Sequence, residues 1–117
     1  MDRVNQLRKI IRSCLQEWTQ FAAPEEGCEN ILVFDEKTDN YAWIYTGWSQ
    51  RRHVNHTVMH LGIRDGKIHV YHDGASHNGE GIVDDLLRAG VSQSELILEF
   101  NPPYARESAS TLAPITP

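Results

Sequence analysis

The segment LGIRDGKIHV, residues 61–70, constrains this chain more than any other. An Asp-Gly pair between alternating apolar residues marks a two-residue hairpin. A type I′ turn needs positive φ at both central positions, and Asp and Gly tolerate it. That turn sets a register: Arg64 opposite Lys67, Ile63 opposite Ile68, Leu61 opposite Val70, and further out His60 opposite Tyr71. Residues 53–63 and 67–73 are therefore expected as antiparallel strands. Met59, Leu61, Ile63, Ile68 and Val70, with His72 near the end, share the face that must find a core. His56, His60, Lys67, His69, Tyr71 and Asp73 share the other, with Val54, Val58 and Gly62 between them.

The rest of the chain supplies what covers that core. Val4, Leu7, Ile11, Cys14, Leu15 and Trp18 recur at three- and four-residue spacing, with Ile10 alongside, so residues 2–21 predict an amphipathic helix. Asp2 is its N-cap, and Pro24 and Gly27 end it. ILVF (31–34) and YAWIYTGW (41–48) predict a hairpin around DEKTDN (35–40), and SQRR (49–52) the next turn. Residues 80–89 predict a second helix with Ile82, Val83, Leu86 and Leu87 on its apolar face and Gly90 just beyond. SQSE (92–95) has capping-box spacing, and LILEF (96–100) reads as a last strand. The order α-ββββ-α-β describes one α+β domain over residues 1–106, a mainly antiparallel sheet with helices on one face. Residues 107–117, ESASTLAPITP, are expected as a flexible tail.

Five of the six histidines fall between residues 53 and 72. His56 and His60 have the H-x₃-H spacing that, on a helix, sets two imidazoles on one face for zinc. On a strand the same pair stands roughly 13 Å apart and cannot share an ion. What the hairpin brings together instead is His60, with Tyr71 across from it and His69 and Asp73 as diagonal neighbours. That face reads as a polar sheet surface or interface. A metal site or acid–base pair built from His60, His69 and Asp73 stays as an alternative.

The charge balance bears on partners. With 11 Lys and Arg against 16 Asp and Glu, the net charge is −5, and a chain this acidic lacks the broad basic surface that DNA binding needs. The basic doublet Arg51-Arg52 follows Trp48 and suits a phosphate or an acidic partner. Tyr41, Trp43 and Tyr45 line one face of a strand, which is a binding patch if the helices leave it open. Cys14 lies on the apolar helix stripe. Reduced core thiols are expected, with a Cys14–Cys28 disulfide as the alternative. Neither a GxSxG nucleophile elbow nor a phosphate-binding glycine loop is present, and no cofactor or metal is expected. The charged N-terminus and the lack of an apolar run near 18 residues point to a cytoplasmic protein away from membranes.

Three ordered blocks resemble the XisI family, the fdxN element excision controlling factors of cyanobacteria. FDEKTDNYAWIYTGW (34–48) matches its FD-turn-Y-to-GW hairpin. RRHVNHTVMHLGIRDGKIHVYHDG (51–74) matches its RR-to-H-x-x-I-x-DGKI core. GIVDDLLRAGVSQSELILEFNPPYAR (81–106) matches its GIA-to-PP-x-x-R ending. The chain departs from the family in the longer DGASHNGEG loop (73–81), in Ser92 where Pro is frequent, and in Asn101 where His precedes the PP pair. The resemblance implies a non-catalytic accessory role in site-specific excision of a DNA element, exerted through an XisH-like, nuclease-like protein. It leaves a homo-oligomer open and gives DNA at most an indirect part. Trp48, Arg51, Arg52, His60, His69, Tyr71 and Asp73 are the expected partner-binding residues. Direct DNA binding through Arg51, Arg52 and Lys67, and an enzyme using His60 and Asp73, are the competing readings.

Overall fold

Helix α1 begins where Asp2 stops the extended chain and accepts the Asn5 backbone N–H at 2.9 Å, satisfying one of the donors that open every helix. In the computed structural model, which describes residues 2–75 and 81–101, α1 spans Arg3–Phe21. Its stripe of Leu7, Ile11, Cys14 and Leu15 is buried. The expected tail at 107–117 and most of the divergent 73–81 loop lie outside the described residues.

Four antiparallel strands follow: β1 (Cys28–Asp35), β2 (Asn40–Ser49), β3 (Arg52–Arg64) and β4 (Lys67–Asp73). The β3–β4 turn has Asp65 at φ 55° and Gly66 at φ 73°, the backbone a type I′ hairpin requires. Helix α2 is shorter than its apolar pattern, spanning Ile82–Arg88. Gly90 follows at φ 107°, a value that favours glycine. A 3₁₀ turn, Gln93–Glu95, leads into β5, Leu96–Leu98. The sheet order is β1-β2-β3-β4-β5, and β5 runs parallel to β4. A parallel neighbour cannot be reached by a hairpin, and α2 is the crossover.

The core lies between the sheet and the helices. Tyr41, Trp43, Met59, Leu61, Ile68 and Val70 meet Leu7, Ile11 and Leu15 of α1 and Ile82 and Leu86 of α2 in one buried cluster. The aromatic face of β2 is therefore covered by helix rather than left as a patch. Polar ties fix the packing. The Trp18 indole N–H donates to Asp85 and joins α1 to α2, and Arg3 grips both oxygens of Glu95 at 2.7 and 2.8 Å. Asn30 donates to the Ala22 carbonyl at 2.7 Å and accepts the Trp43 indole N–H at 2.9 Å.

Two β-bulges overturn part of the expected face assignment. Trp43 pairs with Met59 but Ile44 pairs with Thr57, so Val58 is an extra residue in β3. Leu61 pairs with Val70 but His60 pairs with His72, so Tyr71 is an extra residue in β4. Each inserted residue reverses the alternation beyond it. His60 is thus opposite His72, not Tyr71. His56 turns to the helix side, where its ring meets Tyr45 with centroids 5.7 Å apart. His72 leaves the core side and is exposed. Asp73 turns the other way, pairs with core Met59, and accepts the N–H groups of Ala75 and Ile82 at 3.1 and 2.9 Å. The expectation that Asp73 shares a face with His60 and His69 is corrected: its carboxylate is committed to the start of α2.

Candidate functional site

The face of the sheet away from the helices carries the candidate residues. Register alone assigns its members. Ile31 lies opposite Ile44, Val33 opposite Ala42, Ala42 opposite His60, Trp48 opposite His53, and Gly62 opposite His69. Three of its apolar side chains stand well into solvent, Ile31 at 36%, Val33 at 45% and Trp48 at 59% exposure. On the other face, under the helices, Tyr41 and Trp43 are buried and Leu32 and Phe34 are partly buried.

The expected site residues divide into two groups. His60, Tyr71 and His69 form the first. Because Tyr71 is the bulged residue, its ring reaches both histidines, with centroids 4.7 Å from His60 and 6.0 Å from His69. Gly62 leaves room for the Tyr71 ring, which passes 3.0 Å from where a Cβ would stand. His60 Nε2 donates to Asn40 Oδ1 at 3.0 Å. Burial, and then the nearby Arg64 charge, push the His60 pKa down, so this imidazole is neutral at neutral pH. His69 Nδ1 donates to Glu99 Oε2 at 2.6 Å. Glu99 follows β5, and only the parallel pairing of β5 with β4 brings it to His69.

Trp48, Arg51 and Arg52 form the second group, at the far end of β3. Ser49 pairs with Arg52 across a turn in which Gln50 takes φ 59°, and both arginines are exposed. Trp48 packs on His53 with ring centroids 5.0 Å apart. His53 and His60 are seven residues apart on one strand, roughly 20 Å. The two groups are ends of one surface rather than a single pocket.

This geometry bears on the competing readings. His60 and Asp73 lie on opposite faces, so the acid–base pair of the competing enzyme reading is not assembled. Lys67 stands at the β3–β4 turn and Arg52 at the other end of β3, roughly 40 Å away along the strand, so Arg51, Arg52 and Lys67 do not make one basic patch. Among the described residues no three His, Cys, Asp or Glu side chains group as metal ligands. Cys14 and Cys28 are unpaired. Burial pushes the Cys14 thiol up to about 11, which leaves little thiolate at neutral pH. A cleft of about 430 Å³ lined by Trp18, Phe21, Trp43 and Asp85 lies on the helix side, away from the His60 group. Asn40 and Glu99, the partners of His60 and His69, were not singled out by sequence reasoning. No local pattern marks either one, since both contacts depend on strand neighbours distant in sequence.

The XisI protein family matches residues 1–111 of the chain. The chain belongs to the XisI family. Among solved structures, it is similar to the fdxN element excision controlling factor XisI from Anabaena variabilis, at 29% identity and TM-score 0.76 over 90% of this chain and 99% of that one. A XisI-like protein from the same organism superimposes with TM-score 0.82 over 92% of this chain and 94% of its own, at 22% identity, and shows the shared fold. No curated protein matches. In this XisI-family chain Ser92 stands where the family frequently has Pro, and the structure uses what Pro lacks. The Ser92 N–H donates to Glu95 Oε1 at 3.0 Å and helps hold the carboxylate that Arg3 grips. No helix among the described residues is long and apolar enough to cross a membrane.

Proposed function

We propose that this XisI-family protein is a non-catalytic, cytoplasmic accessory factor that controls site-specific excision of a DNA element of the fdxN type, and that it acts by binding an XisH-like protein. The observation that carries the reading is the likeness to the Anabaena controlling factor, which spans 99% of that chain. The sheet supports the mode of action. Its uncovered face carries exposed Trp48, an aromatic of the kind that anchors protein interfaces, and ends in Arg51 and Arg52, which suit an acidic patch on a partner. The His60–Asp73 pair that an enzyme reading requires is not formed, and DNA contact in this reading passes through the partner.

The test is co-expression with the XisH-like protein, followed by size-exclusion chromatography with light scattering. The expected result is a complex of defined mass. Trp48→Ala, or reversal of Arg51 and Arg52 to Glu, should weaken it at least tenfold, about 1.4 kcal/mol, without moving the unfolding midpoint. Two separate species from the unmodified chains would refute the partnership. A complex indifferent to both changes would move the contact elsewhere.

A further inference from the structure

The sheet has two outer strands, and they differ. β5 spans three residues. β1 spans eight, CENILVFD, and pairs with β2 over all eight without a register shift. Among the described residues, no backbone group of residues 29–34 bonds to any element other than β2. Proteins blunt a long outer strand with Pro, Lys, a bulge or a covering element, because its free N–H and C=O groups are a template for another strand. β1 has no Pro, no Lys and no bulge, and two of the chain's exposed apolar side chains, Ile31 and Val33, stand on it.

Those side chains are bracketed by charge. Along the open face β1 reads Glu29, Ile31, Val33, Asp35, acid–apolar–apolar–acid, and both acids are exposed. Self-pairing is disfavoured in every register that keeps the open faces together. An antiparallel pair centred on Leu32 sets Glu29 opposite the second copy's Asp35 at each end. Centring on Ile31 sets Glu29 against Val33, and centring on Val33 sets Ile31 against Asp35. Like charges directly opposite cost stability, and so does an acid set against an apolar side chain. The complement of β1 is a strand with basic residues at its ends and apolar residues between.

We infer that the outer edge of β1 captures an extended segment of a partner protein with the pattern basic-x-apolar-x-apolar-x-basic, adding a sixth strand to the sheet. Main-chain hydrogen bonds supply binding, and the alternate side chains select the segment. The inference rests on the reading that the protein works by binding another protein, and it names a contact apart from Trp48, Arg51 and Arg52.

The test uses the full chain and two labelled peptides, Lys-Thr-Val-Thr-Val-Thr-Lys and Glu-Thr-Val-Thr-Val-Thr-Glu, followed by fluorescence anisotropy and hydrogen exchange. The basic peptide should bind at least tenfold more tightly than the acidic one. It should slow exchange at residues 29–35, and lose at least tenfold in affinity with Glu29→Lys or Val33→Lys, neither of which removes a buried contact. Equal binding of the two peptides, binding of neither, or slowed exchange elsewhere would overturn the inference. So would a dimer of the chain alone that Val33→Lys splits, since the edge would then belong to a second copy. The co-expression experiment separates the two readings. An XisH-like complex untouched by Val33→Lys removes this inference and leaves the proposed function standing. Peptide capture as expected, without any XisH-like complex, does the reverse.

Discussion

Arg8 holds Asp39 with two parallel hydrogen bonds, Nε to Oδ1 at 2.8 Å and Nη2 to Oδ2 at 3.0 Å. The pair ties the first half of α1 to the turn between β1 and β2. Asp39 sits at φ 52° and gathers more than Arg8. Its carboxylate accepts the Tyr41 hydroxyl at 2.8 Å, and its carbonyl accepts the Ile63 N–H at 3.0 Å and Arg64 Nη1 at 3.1 Å. One turn residue thereby joins the helix to two strands, β2 and β3, and through Arg64 and Asn40 it neighbours the His60 group.

The pair makes stability pH-dependent in a stated direction. Arg8 and then Tyr41 hold the Asp39 carboxyl below its ordinary 3.8. A depressed folded pKa adds stability above the unfolded value, and that stability is lost as pH falls through the folded value. In urea unfolding, the gap between the native chain and Arg8→Met should stay level down to about pH 5 and close below about pH 4. Arg3 pulls Glu95 down to about 2, so the corresponding gap for Arg3→Met should shrink below about pH 5 and be lost toward about pH 2. Gaps that ignore pH would show that neither carboxylate feels its arginine.

Gly62 is where the open face has least room. A Cβ there would stand 3.0 Å from the Tyr71 ring, 3.1 Å from the Asp39 carbonyl oxygen and 3.3 Å from Asn40 Oδ1. The ring can swing but the carbonyl belongs to the Asp39 turn. Gly62→Ala should lower stability by about 1–3 kcal/mol and move the Tyr71 ring off His60. Denaturant unfolding and the ring-to-ring NOE between those side chains report the two effects. An unchanged midpoint with the NOE intact would contradict the crowding.

Asp73 separates structural from interface roles. Its oxygens serve the N–H groups of Ala75 and Ile82, so Asp73→Ala should cost about 1.5–3 kcal/mol, the scale of a hydrogen bond to a charged group. Asp73→Asn keeps an acceptor and should recover part of that. At a temperature where both variants are folded, affinity for the XisH-like protein should be unchanged. A native-like melting curve paired with lost affinity would put Asp73 back on the interface.

Much of the scaffold was legible because its cues are local. Asp65-Gly66 specifies its turn through the backbone both residues tolerate. The stripe from Leu7 to Leu15 specifies a helix face, and Asp2 its start. Cys14 on that stripe reads as core, and it is core. The two bulges were not legible. Val58 and Tyr71 are ordinary strand residues, and which residue of a strand is squeezed out of pairing depends on how neighbouring strands twist against each other. That choice moved His56 and Asp73 off the histidine face and gave Tyr71 its place between His60 and His69.

The sequence by itself determined the elements, their order, the family, and the set of side chains available to a binding face, since each rests on residues a few positions apart. Only the tertiary structure decided which of those side chains share the face. It split Trp48, Arg51 and Arg52 from His60, His69 and Tyr71 along β3, brought Glu99 to His69 through a parallel pairing, and left β1 as the long outer strand. The physical reason is that side-chain direction in a sheet alternates with every residue. One bulge or one distant strand pairing re-aims everything beyond it, and neither is written in the local pattern.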